Sequence, residues 1–143
     1  MKIKLNQKGI GHLLLIFMVI FLVLHILVLN GGIPPSIIWD STITDKASMV
    51  ISETIAFLFI FLFIFGLLLK LDYIPTKLLK NSADTILWIM ILYLLLNIIG
   101  CFMSDDIVKK LFYTPVIFIV VLLTLRLIFS SPSPKYKKRK PKK

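Results

Sequence analysis

The stretch HLLLIFMVIFLVLHILVL, residues 12–29, decides the fold of this protein. Its apolar residues cover the whole circumference of a helix, so no single stripe is set aside for a soluble core. A helix that crosses a bilayer needs about 20 mostly apolar residues. Three further stretches have the same character: residues 50–69, 85–103 and 112–129. These stretches predict four transmembrane helices.

The composition favours lipid as the solvent for this fold. The chain has 143 residues, of which 58% are hydrophobic, and a mean hydropathy of +0.95. Backbone groups in hydrocarbon must bond internally, and runs this continuous do not suit alternating barrel strands. We therefore expect an all-α fold: an antiparallel, up-down bundle of four transmembrane helices in residues 1–130, followed by a disordered basic tail in residues 131–143.

The first apolar stretch also has features of a signal peptide, because Lys2, Lys4 and Lys8 precede it. Its core is long, however, and the following residues VLNGGIPP contain no small-residue cleavage site. We expect it to remain as the first span.

Lysine and arginine residues alternate between rich and poor flanks along the chain. Three lysines precede the first span, the loop after the second span carries Lys70, Lys77 and Lys80, and seven basic residues end the chain. The first and third loops are poorer. Because basic residues stay on the cytoplasmic side, this pattern predicts a multi-pass protein of the cell membrane with both termini in the cytoplasm.

The loop NGGIPPSIIWD, residues 30–40, connects the first two spans and contains a turn, two prolines and an apolar end. Glycine suits the end of a helix, and the two prolines stop helix and fix an extended path. We expect the loop to fold back over the bundle. Ionisable and polar groups in spans usually face a protein interior, so we predict a polar pocket in the outer leaflet, formed by His25, Trp39, Asp40, Glu53, Asn97 and Thr114.

Each of these residues also has a simpler interpretation. His25 suits an interfacial or hydrogen-bonded structural role, Glu53 suits the headgroup region near the start of its helix, and Asn97 suits a hydrogen bond between helices. Arg126 is expected to extend its charge to headgroups on the cytoplasmic side.

The tail SSPSPKYKKRKPKK lacks the apolar residues that a folded core needs, so we expect disorder. A basic run directly after a span attracts anionic lipid headgroups. We expect no specific nucleic-acid binding. The expected headgroup contacts are made by Arg126, Lys135, Lys137, Lys138, Arg139 and Lys140.

Cys101 is the single cysteine, so no disulfide within the chain and no CxxC redox pair can form. The sequence contains no HExxH motif and no cluster of metal-ligating residues. No metal and no cofactor are therefore expected, and no catalytic residue is assigned.

Four segments together give the chain a resemblance to known proteins: LHILVLNGGIPPSIIWD, the acid in SETI, LLLNIIG and YTPVIFIVVLLTLRLIF. Over about residues 20–129 the chain resembles a group of small four-helix bacterial membrane proteins that have no known activity. In that group the loop tryptophan is often followed by Gly-Gly-Arg, whereas this chain has Asp40-Ser41-Thr42. The resemblance implies the fold and no activity.

Three classes of function remain open. The first is a non-enzymatic bundle that binds a lipid, a small molecule or a partner helix, as a single chain, a homo-oligomer or with a partner membrane protein. The second is a proton-coupled transporter that uses His25 and Glu53, although the first helix lacks the acid that small multidrug transporters have there. The third is a membrane enzyme with His25, Glu53 and Asp40 as acid and base.

Overall fold

A computed structural model describes residues 6–39, 43, 45–74 and 82–130, and these residues form an all-helical structure. Its long helices are α1 (Gln7–Leu29), α2 (Lys46–Lys70), α3 (Ser82–Met103) and α4 (Thr114–Phe129). A 3₁₀ turn, Pro35–Ile37, lies in the first loop, and a π-helical turn, Lys109–Tyr113, leads into α4. The described residues contain no strand, so the predicted all-α class is confirmed.

Four helical segments are long and apolar enough to cross a membrane: the helices α1, α2 and α3, and the segment Lys109–Phe129. The first three begin three to five residues before the predicted spans, which start at residues 12, 50 and 85. Polar cap residues explain this for two of them. The side chains of Asn6 and Asp45 accept hydrogen bonds from the backbone amides of Gly9 and Ser48, so α1 and α2 start in polar sequence.

The helices contact one another around a closed ring: α1 contacts α2 and α4, while α3 contacts α2 and α4. Their facing sides supply a continuous apolar core, whereas large apolar side chains on the opposite sides are exposed. Such a surface is unusual for a soluble protein and suits lipid. The core residues are Ile10, Leu14, Met18, Phe63, Leu67, Leu87, Met90, Ile91, Leu94, Ile117, Val120, Val121 and Leu127.

The bundle has two ends, called the Lys70 end and the Trp39 end after a bonded residue at each. The Lys70 end contains Lys70, whose ammonium donates hydrogen bonds to Asp84 Oδ1 at 2.6 Å and to the Ile128 carbonyl at 3.2 Å. It also contains a hydrogen bond of 2.6 Å between His12 Nε2 and the Tyr73 hydroxyl. These bonds join the ends of the helices to one another.

Helices α2 and α3 approach closely near the Lys70 end because α2 has a glycine at position 66. A Cβ atom on Gly66 would lie 2.8 Å from Ile86 Cγ2. Small residues allow this kind of approach in membrane helices, where dispersion contacts replace the hydrophobic effect as the driving force. The close contact at Gly66 therefore fixes the spacing of α2 and α3 and leaves the opposite end free to be wider.

Candidate functional site

Glu53 lies at the centre of the other end, called the Trp39 end. It is in the second turn of α2 and only 1% exposed. Its Oε1 accepts a hydrogen bond of 2.6 Å from Trp39 Nε1, and its Oε2 is 2.8 Å from His25 Nδ1. A buried carboxylate is costly unless its oxygens are bonded. With the carboxylate ionised, His25 Nδ1 donates to it, and both oxygens are satisfied.

Trp39 reaches Glu53 because the first loop folds back over the bundle. The chain turns away from α1 at Gly31, two residues after the helix ends, and its φ of +73° is readily adopted by glycine. The amides of Gly31 and Gly32 donate hydrogen bonds to the carbonyls of Val28 and Leu27 at the end of the helix. Pro35 then begins the 3₁₀ turn, and its carbonyl accepts a hydrogen bond of 2.8 Å from the Trp39 amide.

The indole of Trp39 packs against the imidazole of His25, with ring centroids 5.8 Å apart. Phe57 approaches the same imidazole edge-on at 6.2 Å. Two aromatic rings and one carboxylate therefore fix the orientation of His25. This loop placement agrees with the inward fold expected from the sequence.

The π-helical turn Lys109–Tyr113 supplies the next polar group. Pro115 has no amide hydrogen and its ring crowds the carbonyl four residues earlier, so the regular helical hydrogen-bond pattern is interrupted there. The Thr114 amide bonds instead to the Lys109 carbonyl five residues back, and the Thr114 hydroxyl donates to the same carbonyl at 3.2 Å. The wider turn carries Lys109 into the bundle, where it is 5% exposed.

The Lys109 ammonium donates a hydrogen bond to the backbone carbonyl of Trp39. This contact joins the α3–α4 connection to the α1–α2 loop. Glu53, His25, Trp39 and Lys109 consequently form one connected set of polar groups across the Trp39 end, reached from α1, α2 and both connections on that side.

A cavity of about 480 Å³ lies beside this polar set, within the usual size range of small-molecule sites. All four membrane segments contribute to its wall. The ring of Phe59 stacks on that of Tyr93 with centroids 3.9 Å apart, and both line it. The other lining residues include Met18, Phe21, Leu24, Ile38, Ala56, Ile60, Phe63, Met90, Leu94, Leu96, Gly100, Cys101, Ser104, Tyr113 and Ile117.

The cavity is apolar through most of its length and polar at the Trp39 end. His25, Trp39, Asn97 and Lys109 line it there, whereas no carboxylate of the described residues does. Two of the lining residues on α3, Leu96 and Gly100, are exposed. The cavity therefore has exposed residues in its α3 wall and a basic group, Lys109, at its polar end.

The structure brings three of the predicted site residues into direct contact: His25, Trp39 and Glu53. Thr114 is buried and supports Lys109 through its carbonyl. Asp40 lies outside the described residues, as do Lys135, Lys137, Lys138, Arg139 and Lys140. Arg126 is exposed on α4.

Two of the simpler interpretations are wrong. Glu53 does not face headgroups, because it is buried and bonded on both oxygens. Asn97 does not join two helices through its amide nitrogen, since Nδ2 donates at 2.8 Å to the Tyr93 carbonyl of its own helix. Asn97 lines the cavity nevertheless.

Lys109 was not predicted as a site residue, because the third loop, which contains it, was considered only for its content of basic residues. The available signal was Pro115, which follows Lys109 by less than two turns and disturbs the helix between them. Among the described residues, no group of three or more His, Cys, Asp or Glu side chains could hold a metal ion.

No protein-family model, no curated protein and no solved structure matches this chain. Its function is therefore argued from the site itself.

Proposed function

We propose that this protein is a multi-pass membrane protein that binds a lipid-like ligand in the cavity at its Trp39 end. The observation that carries this proposal is the cavity of about 480 Å³, which is walled by all four membrane segments and includes two exposed residues of α3, Leu96 and Gly100. An apolar cavity with a few convergent polar groups is the usual form of a small-molecule site.

The proposal includes an up-down, antiparallel bundle with both termini in the cytoplasm and the Trp39 end outside. The contact of His25 near the end of α1 with Glu53 near the start of α2 supports the antiparallel order. The smaller number of lysine and arginine residues in the first and third loops supports the orientation.

Cysteine labelling in intact cells tests this orientation. In a Cys101→Ala background, an impermeant maleimide is expected to label Ser36→Cys, at the exposed first loop, and to leave Lys80→Cys unlabelled. The reverse pattern would place the Trp39 end in the cytoplasm and remove the topological part of the proposal.

Fluorescence quenching tests ligand binding. Trp39 lines the cavity, whereas Trp88 is exposed on α3, so Trp88→Phe leaves one reporter at the site. A long-chain alcohol with bromine atoms in its chain is expected to quench Trp39 in nanodiscs with a saturable dependence on concentration. A Trp39→Phe protein, which retains Trp88, reports quenching from bulk lipid.

A cavity-filling variant provides the matched control. Ile60→Trp adds bulk to the cavity wall, whereas Ile64→Trp adds the same bulk one turn later on α2, outside the residues that line the cavity. For these two, binding is followed by native mass spectrometry of the bound alcohol. Equal binding by both variants, or the absence of saturable quenching in the native cavity, would contradict the proposed function.

Proton-coupled transport is the second candidate, and the buried His25–Glu53 hydrogen bond is the observation that favours it. A titratable pair inside a membrane bundle is a common component of proton pathways. In liposomes with an internal pH dye, this candidate expects proton uptake under a membrane potential in the native protein and none in Glu53→Gln. Asp84→Asn, at the Lys70 end, is the matched control. Equal proton leak in all three proteins would exclude it.

The enzymatic alternative has less support. Both oxygens of Glu53 are bonded to Trp39 and His25, so the carboxylate is occupied as a general base.

Binding of anionic lipid by residues 131–143 remains a proposal from composition. Deletion of this segment is expected to weaken association with anionic bicelles at low salt more than at high salt.

A further inference from the structure

The structure assigns an anionic head group to the ligand, and we infer that Lys109 binds it. The ligand class is an amphiphile whose apolar chain lies in the cavity and whose carboxylate or phosphate contacts the Lys109 ammonium. This inference rests on the proposed function, because it names the chemistry of the ligand for the same cavity.

Lys109 has the burial expected of a binding residue and lacks a resident counter-ion among the described residues. It is 5% exposed, and its ammonium donates to one described acceptor, the Trp39 carbonyl. An ammonium group carries three donors, so donors remain for a ligand. A buried charge is stabilised when an opposite charge and further hydrogen bonds accompany it.

Two acids at the Trp39 end, Glu53 and Asp106, are bonded to groups other than Lys109. Glu53 accepts hydrogen bonds from Trp39 and His25. Asp106 Oδ1 accepts the Val108 amide at 2.8 Å, which holds that carboxylate at the start of the helical turn. Neither acid forms an ion pair with Lys109 in the described structure. An anion from outside the bundle is therefore the complementary partner for this ammonium.

The shape of the cavity separates the two parts of such a ligand. Lys109 and His25 lie at the polar end, while Phe63 and Met90 lie among the core residues toward the middle of the bundle. Gly100 leaves open space in the cavity wall, because a Cβ atom at this position would meet no atom within 4 Å. When Lys109 binds the head group of the ligand, the apolar chain of the ligand lies along the apolar wall of the cavity.

The test compares probes that share a chain and differ in the head group. Dibrominated stearic acid, the matching alcohol, the matching amine and a dibrominated lysophosphatidic acid are titrated against Trp39 fluorescence in the Trp88→Phe protein. Nanodiscs of zwitterionic lipid are used at a pH that keeps the acid ionised. The native cavity is expected to bind both anionic probes about tenfold more tightly than the alcohol, and the amine least, because charged hydrogen bonds are stronger than neutral ones. The two anionic probes distinguish a carboxylate ligand from a lipid phosphate.

Two neighbouring lysines provide the variant and its control. Lys109→Gln is expected to bind the acid and the alcohol equally, whereas Lys110→Gln, which changes an exposed lysine of the same turn, is expected to keep the tenfold preference. Lys109→Arg keeps the positive charge and is expected to retain part of the preference for the acid over the alcohol. If Lys109→Gln does not fold, the order of acid, alcohol and amine in the native protein still decides the question.

The outcomes separate this inference from the function on which it rests. Saturable binding of every probe with equal affinity would overturn the anionic head group and leave ligand binding intact. Absence of saturable binding by every probe would remove the proposed function itself. A preference for the anionic probes that appears only in Asp40→Asn would show that the chain supplies its own counter-ion, and would also overturn the inference.

Discussion

The two ends of the bundle each contain an acid that bonds to a basic side chain of another helix, but the surroundings of the two acids differ. At the Trp39 end, Glu53 is buried and both of its oxygens have donors. At the Lys70 end, the side chain of Asp84 is 51% exposed and its bond to Lys70 lies at the edge of the structure. The first pair is enclosed by protein and the second is open to solvent.

The glycines of the two ends differ in the same way. Gly66 holds α2 against the side chain of Ile86 on the side of the Lys70 end, whereas Gly100 of α3 has open space where a Cβ atom would be. At the Lys70 end, the helices are therefore held together by close packing and by exposed polar bonds. The Trp39 end contains a cavity, and buried hydrogen bonds lie beside it. Buried polar groups cost free energy when they lack partners, so these bonds stabilise the polar end of the cavity.

Removal of the buried acid is expected to give the largest effect. Glu53→Ala leaves the Trp39 and His25 donors without an acceptor inside the bundle, so we expect a loss of about 3–5 kcal/mol in the free energy of unfolding. Asp84→Ala is the matched change at the other end, and we expect a loss below about 1 kcal/mol, as for exposed pairs. Unfolding by dodecyl sulfate in mixed micelles, followed by circular dichroism, measures both values. Equal losses would show that the two ends do not differ as described.

Alanine substitutions at Gly66 and Gly100 compare the packing of the two ends directly. Gly66→Ala places a methyl group against the branched side chain of Ile86, and we expect a loss of about 1–3 kcal/mol, as for overpacked cores. Gly100→Ala meets no neighbour and is expected to leave stability unchanged or slightly raised. The same unfolding assay applies to both. A neutral Gly66→Ala would mean that α2 and α3 can move apart freely at the Lys70 end.

The direct coupling of His25 with Glu53 is expected to be smaller than the loss from Glu53→Ala, because Glu53 also bonds Trp39. In a double-mutant cycle of His25→Ala and Glu53→Gln, we expect a coupling of about 1–2 kcal/mol, the size found for bonds between membrane helices in model systems. The double variant should lose less stability than the sum of the single variants. Strict additivity would mean that the hydrogen bond contributes nothing beyond packing.

The sequence was sufficient to predict the helices because each span is a continuous apolar run, and a run of this length has few other stable structures in lipid. It also placed His25, Trp39 and Glu53 in one predicted pocket, since polar groups at similar depth in neighbouring spans tend to meet. The starts of α1 and α2 were placed too late, because Asn6 and Asp45 cap the helices from polar sequence that a hydropathy pattern excludes.

The sequence was not sufficient to predict Lys109 or the cavity. The inward position of Lys109 depends on a widened turn before Pro115 and on a backbone carbonyl of Trp39. Pro115 indicates that the helix is disturbed but not which way Lys109 points, and a backbone carbonyl has no residue-type signature. The cavity depends on how side chains from all four segments fail to fill one volume. That failure is a property of the assembled bundle, and no local pattern in the sequence encodes it.

The smallest expected effect concerns Asp45, which caps α2 at the exposed edge of the Trp39 end. The hydroxyl and the amide of Ser48 bond to its carboxylate and hold the pKa of Asp45 below its ordinary value. An unperturbed aspartate titrates near a pKa of about 3.9. Because the folded state binds this proton less readily than the unfolded state, the cap stabilises α2 fully above that value and loses its contribution as the pH falls through the lower folded pKa.

Hydrogen exchange at the first amides of α2 measures this loss. After correction for intrinsic rates, we expect protection of the Ser48 and Met49 amides to fall as the pH drops below about 4 in the native protein, since protonation weakens Asp45 as an acceptor. Asp45→Asn keeps a good cap without a titrating group, so its protection is expected to stay level over the same range. Ser48→Ala removes the hydroxyl bond and is expected to shift the midpoint of the native curve toward higher pH. A fall of equal size in Asp45→Asn would assign the pH dependence to a group other than Asp45.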